Sequence, residues 1–213
     1  MALAVLFRDA ALAVVDKPSG LPVEADSGES VLAYAARELA PPGGRAWPRV
    51  VHRLDRGTSG CLLLALNQKA ERALAKAFDE GLVEKQYLAL VAGRPPEEGA
   101  CDTPYGPDPR DRRRFTTRLQ TPRRARLRWR VEECLGSHAL LRVFLDTGRT
   151  HQIRVQLAES GFPVVGDEVY GIPGARLALH AEMLGIPWNG QRLEWRAPLP
   201  ADFQAMLVRN SSS

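Results

Sequence analysis

The chain has 213 residues, 29 Lys plus Arg against 25 Asp plus Glu, and a formal net charge of +4. Its 25% charged and 45% hydrophobic residues are the proportions of a globular protein, which excludes a disordered tail, a collagen-like fibre and a coiled coil. That length predicts one domain, here residues 1–213, or two small ones sharing a core.

In chain order, the apolar runs Leu3–Phe7 and Leu12–Val15, separated by Arg8, Asp9 and Ala10, predict paired strands. Residues 16–22 predict a loop, because Pro18, Gly20 and Pro22 interrupt regular structure. Ser30 reads as the N-cap of a helix running to about Ala40 and stopped by Pro41-Pro42-Gly43-Gly44. Val50–Leu54 and Cys61–Leu66 have strand character and flank a polar loop, Asp55–Gly60. Asn67 is a second N-cap, with Ala70, Leu74, Ala77 and Phe78 at helical spacing and Gly81 as the stop. Residues 83–91 predict a strand, and 94–122, rich in Pro, Gly, Asp and Arg, a long loop or arm. Leu127–Val131 and Ala139–Leu145 form a strand pair around Gly136-Ser137. Thr150 is the candidate N-cap of a helix carrying Ile153 and Leu157 and ending at Gly161. Strands at 177–186 and 192–195, a helix near 201–208 and a frayed Ser211-Ser212-Ser213 tail complete the chain. Strands outnumber helices and connections are short, so the fold class is α+β with a mainly antiparallel sheet.

No apolar stretch is long enough for a membrane span, and the N-terminus lacks the basic opening of a signal peptide. The three cysteines, Cys61, Cys101 and Cys134, are odd in number and widely spaced, predicting neither disulfides nor a cysteine zinc site. A reducing cytoplasm is the simplest setting. The four histidines show no metal-ligand spacing, and no phosphate-binding glycine motif occurs, so neither metal nor nucleotide cofactor is expected.

The charge is unevenly spread. Residues 108–130 hold ten arginines and two aspartates, a local +8 that leaves −4 for the remainder of the +4 chain. Such a stretch is either a solvated face or an arm that contacts phosphates.

The segment Val51-His52-Arg53-Leu54-Asp55-Arg56-Gly57-Thr58-Ser59-Gly60 delivers one carboxylate into a loop with two arginines and two hydroxyls. Taken alone, Asp55 caps a turn, or serves as a nucleophile or base kept ionised by a cation. The segment resembles the central motif of the RluA-type pseudouridine synthases. Other stretches resemble that family in the same order: 16–23, 84–93, Gly148-Arg149-Thr150-His151-Gln152-Ile153-Arg154, Gly166-Asp167, Tyr170-Gly171 and Leu179-His180-Ala181. Together they reach from about residue 10 to residue 203.

The resemblance implies isomerisation of uridine to pseudouridine within RNA, without cofactor or metal, by a monomer acting on a ribosomal or transfer RNA stem-loop. It implies a mixed, mainly antiparallel sheet in two halves, with flanking helices and a central cleft. Asp55 matches the catalytic aspartate, Tyr87 the tyrosine that packs on the target base, and Arg154 the basic residue that pairs with the aspartate. Arg53 matches the arginine that holds the flipped nucleotide. A charged carboxylate suits a guanidinium partner, and an unstacked pyrimidine needs an aromatic surface. Ile153 and Leu179 join the substrate pocket, His52 supports the Asp55 loop, and His151 is placed in the first turn of its helix. The first motif already stands at Asp16, so the expectation is a catalytic domain without the N-terminal S4 domain that many relatives carry. The arginine-rich arm at about 94–126, with Arg112, Arg113 and Arg114, then becomes the expected RNA grip. The competing functions are an RNA-binding or assembly factor that keeps the fold without the chemistry, and a hydrolase that stops at the broken glycosidic bond.

Overall fold

The structure, a computed structural model, describes residues 3–39 and 48–211. It opens with β1 (Ala4–Arg8), β2 (Leu12–Lys17), α1 (Val31–Glu38), β3 (Arg49–Val50), β4 (Ser59–Ala65) and α2 (Gln68–Asp79). There follow β5 (Glu84–Ala92), β6 (Glu98–Pro104), β7 (Gly106–Asp108), β8 (Asp111–Thr116), β9 (Arg124–Leu135) and β10 (His138–Leu145). The chain ends with α3 (Gln152–Glu159), β11 (Leu179–Trp188), β12 (Gln191–Arg196) and α4 (Ala201–Ser211). It is thus α+β, and β1–β2, β2–β4, β3–β4, β5–β10, β9–β10, β6–β9 and β11–β12 all pair antiparallel. It divides into two compact units, Met1–Glu84 with Ala181–Pro198, and Lys85–His180 with Leu199–Ser213. None of the helices among the described residues is long and apolar enough to cross a membrane.

The first unit is a sheet in the order β1-β2-β4-β11-β12, with β3 on the far end of β4. Asp9 closes the β1–β2 turn by accepting the Ala11 and Leu12 N–H groups at 2.7 and 2.8 Å. Ser30 and Asn67 are the caps of α1 and α2, accepting from the N–H of Ala33 and Ala70 at 3.1 and 2.9 Å. Leu12, Val14, Leu63, Leu74, Leu184 and Ile186 are fully or almost fully buried in its core, where truncating one leucine costs about 2–5 kcal/mol. The expected stop of α1 at Pro41–Gly44 lies outside the described residues, as do Ser212 and Ser213; Ser211 belongs to α4 rather than to a frayed tail.

Two expectations fail here for local reasons. The strand expected at 50–54 ends at Val50: continuing its register would set Val51 opposite Leu63, but the Leu63 N–H donates instead to His52 Nε2 at 2.9 Å. The loop expected from Asp16 starts two residues later, because Asp16 and Lys17 still pair with Cys61 and Gly60.

The second unit is a sheet in the order β5-β10-β9-β6. The stretch expected as a loop carries three strands: β6 on the sheet edge, and β7 and β8 in a separate hairpin. Edge strands tolerate the prolines and glycines that argued against a strand. Gly99 is one requirement of that packing, since a Cβ there would lie 2.0 Å from the Trp129 ring. Along β9, Ala125, Leu127 and Trp129 are buried while Arg124, Arg126, Arg128 and Arg130 are exposed, the alternation of a half-buried strand.

Helix α3 is buried from Gln152 to Leu157, polar residues included. Their partners explain it. The Gln152 amide donates to the Arg126 carbonyl at 3.0 Å, and the Gln156 amide to Thr103 Oγ1 and the Ala125 carbonyl at 2.9 and 3.0 Å. Its N-cap is His151, not Thr150. His151 adopts the left-handed conformation (φ 57°) and makes no side-chain cap bond, so the helix start is held by tertiary contacts.

Candidate active site

Asp55 is half-buried and opens a turn closed by the Thr58 N–H donating to the Asp55 carbonyl at 3.0 Å. Residues 18–22, remote in sequence, are laced to this turn. The Gly20 N–H donates to the Arg56 carbonyl at 2.9 Å, Arg56 Nε returns a bond to the Gly20 carbonyl at 2.8 Å, and Ser19 Oγ reaches the Gly57 carbonyl at 2.7 Å. Beneath them lies Lys17, fully buried, whose ammonium donates to the carbonyls of Pro18, Leu21 and Arg56 at 3.0, 2.7 and 3.0 Å.

Where the turn re-enters the sheet, Gly60 has φ +112°, and a Cβ there would lie 2.2 Å from the Ala181 carbonyl oxygen. Only glycine lets β4 and the start of β11 approach so closely. Leu54, Thr58 and Ser59 are buried while Arg53 and Arg56 are exposed, so this segment is anchored at its ends and open at its tip. His52 stacks on Phe78 at 4.9 Å besides accepting from Leu63, and thus braces β4 against α2. Next along β4, burial pushes the Cys61 thiol up to about 12, so it stays protonated and inert at neutral pH.

The other expected site residues belong to the second unit. Tyr87 is buried on β5 opposite Val143 of β10. Ile153, Arg154 and Leu179 are buried too, the first two side by side in α3 and Leu179 at the start of β11. Arg154 forms a two-pronged ion pair with Asp167, Nε to Oδ2 and Nη2 to Oδ1, both at 2.8 Å. The same carboxylate accepts the Val169 and Tyr170 N–H groups at 2.9 and 3.1 Å. Burial pushes the Asp167 carboxyl up, but the Arg154 guanidinium and these N–H donors outweigh it, so it is held below the usual carboxylate range.

Tyr170 stands at the centre of a cluster that the individual sequence motifs did not disclose. Its hydroxyl accepts the Phe115 N–H at 2.9 Å and bonds His151 Nδ1 at 2.9 Å. Its ring lies 5.3 Å from the Arg154 guanidinium and 5.0 Å from that of Arg114. Thr116 and Thr117 of the hairpin side bond Glu159 at the end of α3. Of the three arm arginines, Arg114 is therefore brought to the same ring as Arg154, Arg113 pairs with Asp111 at 3.0 Å, and Arg112 is exposed. The short spacing Asp167-x-x-Tyr170 was the available signal for this cluster, because Asp167 caps the turn that presents Tyr170.

Comparison with known proteins places these residues in a wider context. Residues 11–159 match the family model described as RNA pseudouridylate synthase. An uncharacterized RNA pseudouridine synthase of Chloroflexus aurantiacus is 45% identical over 205 residues, covering 90% of this chain and 64% of that protein. The ribosomal large subunit pseudouridine synthase D of Nitrosomonas europaea is 39% identical, covering 98% of this chain and 66% of its own length. The chain therefore spans just under two thirds of the length of these two curated relatives. Among solved structures, human RNA pseudouridylate synthase domain containing 1 superposes with a TM-score of 0.78 at 25% identity, covering 97% of this chain and 94% of that one.

Proposed function

The chain belongs to the RNA pseudouridylate synthase family, and we propose that it isomerises uridine to pseudouridine in structured RNA with Asp55 as the catalytic carboxylate. The observation that carries this reading is the Asp55 turn. A single carboxylate is presented at the open tip of a segment whose backbone is fixed by Lys17, Ser19 and Arg56. Such fixing holds a reacting group in place before substrate arrives. In the reaction the N1–C1′ bond of uridine breaks, C5 bonds to C1′, C5 loses its hydrogen as a proton, and N1 gains one. No atom is lost overall. Attack at ribose C1′, addition at uracil C6 and removal of the C2′ proton are the three acts open to Asp55, and each needs it ionised.

In the same reading Tyr87 is the surface for the base, with Ile153 and Leu179 as apolar neighbours, and Arg53 holds the extruded nucleotide. Arg154 is the basic partner of the reaction, with its guanidinium oriented by Asp167. The name of the Nitrosomonas relative supports large-subunit ribosomal RNA as the first substrate to try, with transfer RNA second.

The test is release of tritium from RNA carrying uridine labelled at C5. The wild type should release it from unmodified large-subunit ribosomal RNA or transfer RNA. Asp55→Asn should release none while binding RNA within a few-fold of wild type. Turnover near wild type in Asp55→Asn would sink the catalytic assignment. RNA binding by the wild type with no tritium release from either RNA would favour an assembly factor instead.

A further inference from the structure

We infer that Lys85, Gly148 and Arg149 form a subsite for one RNA backbone phosphate, which rests on the reading of the chain as an enzyme acting on RNA. Arg149 Nε is a buried side-chain donor with no hydrogen-bond partner among the described residues. Leaving such a buried donor unmatched is destabilising, and a bound acceptor removes that cost. Lys85 is half-buried on β5, and no hydrogen bond or ion pair to its ammonium is present among the described residues. Burial holds this amine below the usual lysine range; the charge of Asp146 attracts it without forming an ion pair. That carboxylate instead faces Arg128 at 3.9 Å.

Gly148 lies against the Lys85 ammonium and directly precedes Arg149 in the chain. It is exposed, and a Cβ built on it would meet one group within 4 Å, the Lys85 ammonium at 3.7 Å. Its φ is not among the positive ones, so the backbone does not demand glycine there. The missing side chain leaves space next to a lysine, beside an arginine whose Nε is unmatched. An oxyanion entering that space would meet the Lys85 ammonium directly, and a turn of the adjoining Arg149 side chain would give its buried Nε the acceptor it lacks; a phosphodiester presents two such oxygens.

The position favours a phosphate of the substrate nucleotide over a free ion. Lys85 and Tyr87 are two residues apart on one strand, so their side chains leave the same face about 6.8 Å apart. A base lying against Tyr87 carries its own backbone within a nucleotide's reach of Lys85. The hydroxyl of Thr147 is already committed to Gln152 at 2.7 Å, which leaves the recognition to the two cations.

The experiment measures binding of labelled oligouridylate to the full chain over a range of salt concentrations. Lys85→Gln and Arg149→Gln should each weaken binding about five- to tenfold and reduce the slope of log affinity against log salt by about 0.7, the value for one single-strand phosphate. Lys85→Arg should keep the slope. Because Lys85→Gln removes a desolvated charge, it should melt no lower than wild type, so its weaker binding is not unfolding. Gly148→Val, which fills the space, should weaken binding without needing either cation removed. Inorganic phosphate matched for ionic strength should not compete measurably; if it displaces the oligonucleotide from wild type but not from Lys85→Gln, the site takes free phosphate instead. Unchanged slopes in both Gln variants would overturn the subsite. Tritium release by a wild type whose Gln variants keep the wild-type slope overturns the subsite alone. Lowered slopes without any tritium release overturn the broader enzymatic reading alone.

Discussion

The β7–β8 hairpin and the outer face of β9 share the arginine-rich stretch but treat its charge in opposite ways. On β9, Arg124 pairs with Asp102 at 2.6 Å and Arg128 with Asp146 at 3.9 Å, while Arg130 and its cross-strand neighbour Arg142 both reach Glu132, at 2.7 and 3.0 Å. On the hairpin, Arg113 pairs with Asp111, whereas Arg110 and Arg112 have no ion pair among the described residues. The positive charge read as one arm is therefore two surfaces, one compensated by carboxylates at three of its four arginines and one mostly open. What an arginine can offer to a polyanion depends on its neighbours more than on its count.

Four sets of substitutions probe this contrast between open and compensated charge. The largest effect should come from neutralising Arg112, Arg113 and Arg114 together to Gln. RNA affinity should fall at least tenfold, and the salt slope should drop by about 0.7–0.9 for each phosphate that is no longer neutralised. Unchanged filter-binding curves would reduce the hairpin to a solvated face.

Next comes the anchor of the hairpin. Tyr170→Phe keeps the ring under Arg114 and Arg154 but removes the hydroxyl that bonds Phe115 and His151, and should cost about 1–2 kcal/mol in denaturant unfolding. Burial raises the Tyr170 hydroxyl above its usual range. The folded state therefore holds that proton more tightly than the unfolded chain. The resulting stability is present below about pH 10 and is lost as pH rises past it. Tyr170→Phe should flatten that alkaline loss.

A smaller effect tests compensation itself. Glu132→Gln removes the carboxylate that Arg130 and Arg142 share, and should strengthen RNA binding about twofold while steepening its salt dependence. Hydrogen bonds from Arg142, ahead of those from Arg130, hold the Glu132 carboxyl below its usual range despite a desolvation cost. Its contribution to stability is thus present above about pH 4.5 and fades as pH falls below that. Glu132→Gln should lose this acid-range dependence. The smallest effect belongs to Arg124→Gln with Arg128→Gln, whose charges are already paired. RNA affinity should stay within about twofold, as exposed ion pairs contribute little.

Much of the fold was legible where the determinant is local. Ser30 and Asn67 could be read as caps because a single side-chain oxygen decides each helix start. His151 could not, since its left-handed backbone is held by Tyr170 nineteen residues away. β6 is not legible in the sequence, because a strand at a sheet edge tolerates the glycines and prolines that composition reads as loop. At the site, Asp55 was legible as a motif, but not the reason its turn is rigid, which lies in a lysine thirty-eight residues earlier. The pairing of Arg154 with Asp167, and the approach of its guanidinium to the Tyr170 ring, likewise depend on contacts between separate segments.

That lysine has a consequence beyond packing. Three backbone carbonyls converging on one buried cation is an arrangement that loops elsewhere make around a dissociable metal ion. Here the cation is covalently part of β2. It cannot be chelated, diluted or exchanged, so the turn that carries Asp55 is organised by a ligand with no off-rate.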